Sequence, residues 1–212
     1  AEVNADSILS YATLENLAKH ISKAKTHMDV AEDIDWHKLL TSTPAIVPSS
    51  SNALLPLGAK AFKLINHLYF RLSLKGRENI PANGPFIIAP NHESFLDAPM
   101  VTSGLSWDTI RNTYFYATEE HFNTAFKRSV AHGSHVILMQ KSDLKSSIQY
   151  MAQALRAGKN LMIFPEGRRT NTGEMGDFKK TFAILAKELR VPIVPVRITG
   201  AFEALPRHKS FP

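Results

Sequence analysis

Short apolar runs alternate with stretches whose apolar residues recur every three or four positions, and this alternation restricts the chain more than any other feature. Residues 86–89, 113–117, 136–139, 161–164 and 193–198 read as strands. Residues 72–75 make a sixth, joined to the next through the turn Pro81-Ala82-Asn83-Gly84. Leu144, Ile148, Met151 and Leu155 recur at helical spacing, with Ser142 or Asp143 to cap that helix and Gly158 to end it. Phe178, Phe182, Leu185 and Leu189 form a second stripe, capped by Asp177 and stopped before Pro192. The pattern predicts an α/β fold: a central mixed, largely parallel sheet flanked by helices, preceded by an N-terminal helical segment. Pro195 inside the last run marks an edge strand or a bulge.

Upstream of that core the chain changes character. Leu14, Leu17 and Ile21 lie on one face of a helix over 13–25, and the phrase Tyr11-Ala12-Thr13-Leu14-Glu15-Asn16-Leu17 resembles the last helix of an acyl or peptidyl carrier domain. Residues 1–30 are therefore read as a helical segment, either the end of a preceding carrier domain or an ordinary N-terminal helix. Residues 31–53 form a linker, with a short helix over 34–40 and a Ser/Thr/Pro-rich stretch after it. Residues 54–212 are the main domain. Its first 21 residues are dense in apolar side chains but interrupted by Lys60, Lys63, His67 and Arg71. They fit an amphipathic helix lying in a membrane interface or one packed on the domain's own core. The chain lacks an initiator Met and stops soon after Pro206, so a fragment of a longer polypeptide, truncated at its C-terminus, is expected.

Composition then narrows the chemistry. No cysteine is present, which excludes disulfides, thiolate metal ligands and a cysteine nucleophile. No apolar run reaches the length of a membrane span. The formal charge is +6, with pairs at Lys127-Arg128, Arg168-Arg169 and Lys179-Lys180. Such a balance favours anionic partners. Nucleic acid is not expected, since neither a zinc knuckle nor an aromatic-basic ribonucleoprotein pattern occurs. His132 and His135 lack an acidic companion at ligand spacing, so no metal site is assigned.

Two segments carry side chains able to do chemistry. The first is Asn91-His92-Glu93-Ser94-Phe95-Leu96-Asp97, which leaves a buried strand. Residues five apart on an ideal helix point about 140° away from each other, given about 3.6 residues per turn. If His92 and Asp97 meet, the segment must be a turn or a distorted first helical turn, and Pro90 and Pro99 bracket it accordingly. The second is Phe164-Pro165-Glu166-Gly167-Arg168-Arg169-Thr170, which follows a later strand in the same way. Either arginine could grip a phosphate bidentately, and Gly167 permits close approach by a ligand. The alternative is a surface salt bridge between Glu166 and Arg169. Lys141 is a further candidate cation, or a solvated lysine that begins a helix.

These two blocks, together with Val191-Pro192-Ile193-Val194-Pro195-Val196, resemble the signature blocks of the glycerol-phosphate and lysophosphatidate acyltransferase family, in order and with family-like spacing, over roughly 54–206. Two departures stand out: Arg168 where the family usually has Thr, and Lys141 at about the place of an arginine that ends another block. The resemblance implies an O-acyltransferase. His92 acts as general base on a glycerol hydroxyl, and Asp97 fixes and stabilises the imidazole. Glu166, Gly167, Arg168, Arg169 and Lys141 bind the substrate, and the Gly167 amide serves as an oxyanion donor.

No resident cofactor is implied. The donor is an acyl thioester, acyl-CoA or an acyl carrier protein, and the acceptor is a phosphorylated glycerolipid. The expected location is cytoplasmic, peripheral on the inner face of a membrane. Without G-x-S-x-G or cysteine, direct transfer is expected rather than an acyl-enzyme. Two readings compete with this one: thioester or ester hydrolysis by the same His-Asp pair, or a non-catalytic, basic and amphipathic domain that binds anionic membrane surfaces.

Overall fold

The computed structural model describes residues 35–41, 54–118, 135–139, 144–207 and 209. The chain divides into two compact units, Ala1–Leu39 and Leu40–Pro212. In the first, the described residues 35–39 open helix α1 (Trp36–Thr41), where the Asp35 carboxylate accepts the Lys38 amide at 2.9 Å. The carrier-like helix over 13–25 and the Ser/Thr/Pro-rich stretch lie outside the described residues, as do Lys127-Arg128, His132 and Lys141.

The second unit runs α2 (Leu54–Leu68), β1 (Ile87–Pro90), α3 (Asp97–Gly104), α4 (Trp107–Arg111), β2 (Thr113–Thr118), β3 (Val136–Met139), α5 (Leu144–Arg156), β4 (Asn160–Met162), α6 (Thr181–Leu189), β5 (Ile193–Val196) and α7 (Ala201–Ala204). The strands form one sheet of order β3-β2-β4-β1-β5, and every pairing is parallel. Register places Ile88 beside Met162 and Val194, with Phe115 next in the row. That row packs with Phe62, Met100, Val101, Ile110 and Ala201 from α2, α3, α4 and α7. Strand alternation sends Ile87, Leu161 and Tyr114 the other way, where α5 packs on β3 and β4 and α6 packs on β1. Both faces are thus covered, and β1 is buried along its whole length. β5 forms the edge beside β1, which is where Pro195 can forgo a ladder hydrogen bond.

Two expected elements differ. Residues 72–75 form no strand. Arg71 takes a left-handed φ of 51° and the Leu72 amide returns to the Asn66 carbonyl. Leu72 then packs on the core beneath the helices, and Leu74 lies against Gly104. The stripe beginning at Phe178 yields a helix only from Thr181, with no side-chain cap from Asp177. Here tertiary hydrogen bonds override local periodicity: the Gly176 and Lys179 amides donate to Glu166 and to the Pro165 carbonyl, which keeps 176–179 out of the helix. The α5 terminus follows expectation, with Gly158 at φ 76° and the Lys159 amide closing onto the Ala154 carbonyl.

Helix α2 resolves the choice between core and surface by using both. Ala59, Phe62 and Asn66 face the domain, and the Asn66 side-chain amide donates to Ser103 Oγ of α3 at 2.8 Å. Leu57, Leu64, Ile65 and Leu68 point away, each about half exposed or more. Among the described residues no helix is long and apolar enough to cross a membrane.

Candidate active site

Parallel pairing decides where the site lies. β1 sits between β4 and β5, so the segments leaving the C-terminal ends of all three emerge at one edge of the sheet. Ligands of open α/β sheets bind outside such strand ends. The histidine loop therefore rises in the middle, flanked by 163–170 on one side and 197–205 on the other.

Within that loop His92 Nδ1 lies 2.8 Å from Asp97 Oδ2. Asp97 is the first residue of α3 and is wholly buried, while the imidazole keeps 21% of its surface exposed. The same Oδ2 accepts the amides of Glu93 at 2.7 Å and Ser94 at 2.8 Å. The intervening residues are thus wrapped around one carboxylate oxygen, which is how side chains five apart come to meet. The ring of Phe164 stacks on the imidazole, 3.9 Å between centroids and 18° from parallel.

The second flank anchors the loop through residues that the sequence reading passed over. The Asn91 side-chain amide makes a two-way pairing with Ile198, donating to its carbonyl at 3.0 Å and accepting its amide at 2.6 Å. Glu93 accepts the Phe202 amide at 3.2 Å and the Asn91 side-chain amide at 3.0 Å. Burial holds the Glu93 carboxyl above its usual range; the Phe202 amide opposes this and the Asp97 charge adds to it. Ser94 is buried, and its hydroxyl donates to the Leu205 carbonyl at 2.8 Å, so it is not poised as a nucleophile. Four consecutive polar residues, Asn91 to Ser94, were the available signal, but the partners of three of them lie more than 100 residues downstream.

The 164–170 segment does meet the histidine, though its residues serve differently from expectation. Glu166 is buried and both its oxygens receive backbone amides, from His92 at 2.7 Å and Gly176 at 2.8 Å. It forms no salt bridge with Arg169 and turns its acceptors inward. Gly167 adopts φ 70°, a conformation glycine takes without strain, but its amide donates to the Phe164 carbonyl at 3.0 Å. That amide closes a turn and is not a free oxyanion donor. Arg169 is 8% exposed, with its guanidinium 3.4 Å above the centre of the Phe95 ring. Burial and the neighbouring Arg207 charge lower its pKa, and Asp97 opposes them. Arg168 is exposed, while Arg169 Nη1 is buried and has no hydrogen-bond partner among the described residues, so each guanidinium keeps a donor that could serve an anion. His135, far along the sheet, is buried and stacked on Tyr114.

The family model for acyltransferases matches residues 71–199, more than half of the chain. The chain is 26% identical over 143 residues to the chloroplastic 1-acyl-sn-glycerol-3-phosphate acyltransferase BAT2 of Brassica napus, covering 65% of this chain and 40% of that protein. It is 27% identical over 143 residues to the 1-acyl-sn-glycerol-3-phosphate acyltransferase of Bacillus subtilis, covering 67% and 69% respectively. Among solved structures, PlsC, the lysophosphatidate acyltransferase of Thermotoga maritima, superposes with a TM-score of 0.56 at 23% identity, over 73% of this chain and 61% of that one. The likeness to PlsC establishes the fold. With both chemistry-bearing loops inside the matched range, the chain belongs to the acyltransferase family.

Proposed function

We propose that this domain transfers a fatty acyl group from an acyl thioester to the free hydroxyl of a 1-acylglycerol-3-phosphate-type acceptor. The observation that carries the reading is the 2.8 Å contact between His92 Nδ1 and the fully buried Asp97. With Nδ1 engaged, the imidazole's Nε2 is the position left for an incoming hydroxyl. In the proposed step Nε2 takes the hydroxyl proton as the oxygen attacks the thioester carbonyl. The tetrahedral species then expels the thiolate, which recovers that proton from the imidazolium. Asp97 holds the tautomer and balances the transient positive charge, as in the hydrolase relay, with the substrate alcohol in place of an enzyme serine. Arg168 is the exposed cation beside the site for the acceptor's phosphate, and Lys141 is proposed as a second. Acyl-CoA and acyl carrier protein both present the required thioester.

The experiment follows thiol release from acyl-CoA with and without lysophosphatidate, together with ester formation. Acceptor-dependent release with stoichiometric phosphatidate supports transfer. Thiol release that ignores the acceptor would establish hydrolysis instead.

A lipid acceptor also needs access from a bilayer, and α2 supports peripheral association with a membrane, proposed here at its cytoplasmic face. Leu57, Leu64, Ile65 and Leu68 form an exposed apolar stripe, with Lys63 and His67 on its flank. Replacing Leu64 and Leu68 together by Glu should weaken flotation with anionic liposomes at least about tenfold, since each buried leucine contributes about 1.5–3 kcal/mol. Unchanged flotation would remove α2 from the membrane contact.

A further inference from the structure

The 164–170 segment grips His92 three times. Phe164 stacks on its ring, the Glu166 carboxylate takes its amide at 2.7 Å, and the Thr170 amide donates to its carbonyl at 2.9 Å. Two of these residues also reach beyond the segment: the Thr170 hydroxyl accepts the Gly173 amide at 3.1 Å, and the Glu166 carboxylate that holds the His92 amide accepts the Gly176 amide at 2.8 Å. We infer that Glu166 is a positioning residue for the base, a carboxylate strut between the His92 main chain and the 171–179 loop, and not a ligand of the phosphorylated acceptor.

Three observations carry this. The side chain is 5% exposed, so it presents little surface to a substrate. Each oxygen already holds a short, charge-assisted hydrogen bond from a backbone amide, an arrangement that fixes direction as well as position. Finally, position 176 is built for the carboxylate. A Cβ there would sit 3.2 Å from Glu166 Oε2, a tight approach that makes the carboxylate give by a few tenths of an ångström, while the Gly176 backbone lies outside the left-handed region. What favours glycine at 176 is therefore the neighbouring carboxylate and not the residue's own conformation. An anionic group facing inward toward amides also suits a strut better than a contact for phosphate, which it would repel.

This inference rests on the acyl-transfer reading, and the experiment separates the two. Wild type, Glu166→Gln, Gly176→Ala and the double variant are compared by steady-state kinetics with acyl-CoA and lysophosphatidate. Equilibrium binding of a short-chain lysophosphatidate below its micellar concentration is measured in parallel. Gln keeps one acceptor and turns an NH₂ against the second amide, so one end of the strut is lost. A displacement near 1 Å at a reacting group costs about 10²-fold. The expected result is a kcat reduced by about that factor in Glu166→Gln, with KM and Kd for lysophosphatidate within about twofold of wild type.

Gly176→Ala leaves the carboxylate in place and only pushes on it, so a smaller loss of kcat at constant KM is expected. The double variant should be no worse than Glu166→Gln alone. Should Glu166→Gln fail to fold, Gly176→Ala still decides the matter. A raised KM and Kd with kcat retained would overturn the inference and return Glu166 to the acceptor site. A wild-type chain that never esterifies lysophosphatidate takes down both readings.

Discussion

His92→Ala is expected to reduce acyl transfer by about 10²–10⁴-fold, the usual contribution of a general base, while leaving the fold intact. The imidazole side chain is 21% exposed and its loop is held mainly by main-chain contacts and by neighbours, so little structural support is lost. Asp97 separates two effects that a single variant confounds. Asp97→Asn keeps an oxygen for the two amides that converge on Oδ2, and those amides dictate which end of the carboxamide faces the histidine. The imidazole should thus stay in its proper tautomer, with only the negative charge lost. A fall in kcat similar to that of His92→Ala, with near-normal thermal stability, is expected.

Asp97→Ala instead strands the buried Ser94 amide and the half-buried Glu93 amide. At about 1–3 kcal/mol for each unsatisfied group, it should cost roughly 2–6 kcal/mol of stability in addition to the activity. Denaturant melts of the two Asp97 variants, run beside thioester assays, make the comparison. An Asp97→Asn variant with wild-type turnover would refute the His-Asp mechanism.

The second large effect is expected at Asn91, the chain neighbour of His92, whose side chain is committed to Ile198 and Glu93. Its side chain pairs both ways with Ile198 while its amide reaches the Val196 carbonyl at 3.3 Å. At 6% exposure the groups it leaves behind cannot turn to water. Asn91→Ala removes the side-chain pairing and the contact to Glu93, leaving the Ile198 amide and carbonyl unpartnered, at a cost of about 2–4 kcal/mol. Asn91→Asp should be at least as harmful, because it exchanges a donor for a charge beside Glu93 and opposite a carbonyl. Activity should fall along with stability, since the same pairing holds the histidine loop to the segment after β5. Urea midpoints and residual turnover for Asn91→Ala test this. A midpoint shift equivalent to under 0.5 kcal/mol would show the loop to be held by other contacts.

The contrast between these residues and the expectations drawn from spacing has a physical basis. The positions of five strands, the α5 stop at Gly158 and the bend between His92 and Asp97 all follow from interactions among near neighbours, and near neighbours can be read off a linear pattern. The extended run at 72–75 and the early part of the 178–189 stripe were misread because distant partners, Gly104 for one and Glu166 with Pro165 for the other, outweighed local preference.

From its own residues the chain thus determined an alternating α/β core, a turn able to join an imidazole to a carboxylate, and a cationic segment after a later strand. Tertiary structure decided what each charged group is for. The order β4-β1-β5 brings three loops to one edge, and burial there obliges Glu166 and Asn91 to satisfy backbone groups. It also presses Arg169 onto Phe95 and leaves Arg168 in the open. A side chain's chemistry is written in the sequence; the access of water and substrate to it depends on strand order, which brings together residues about 70 to 110 positions apart.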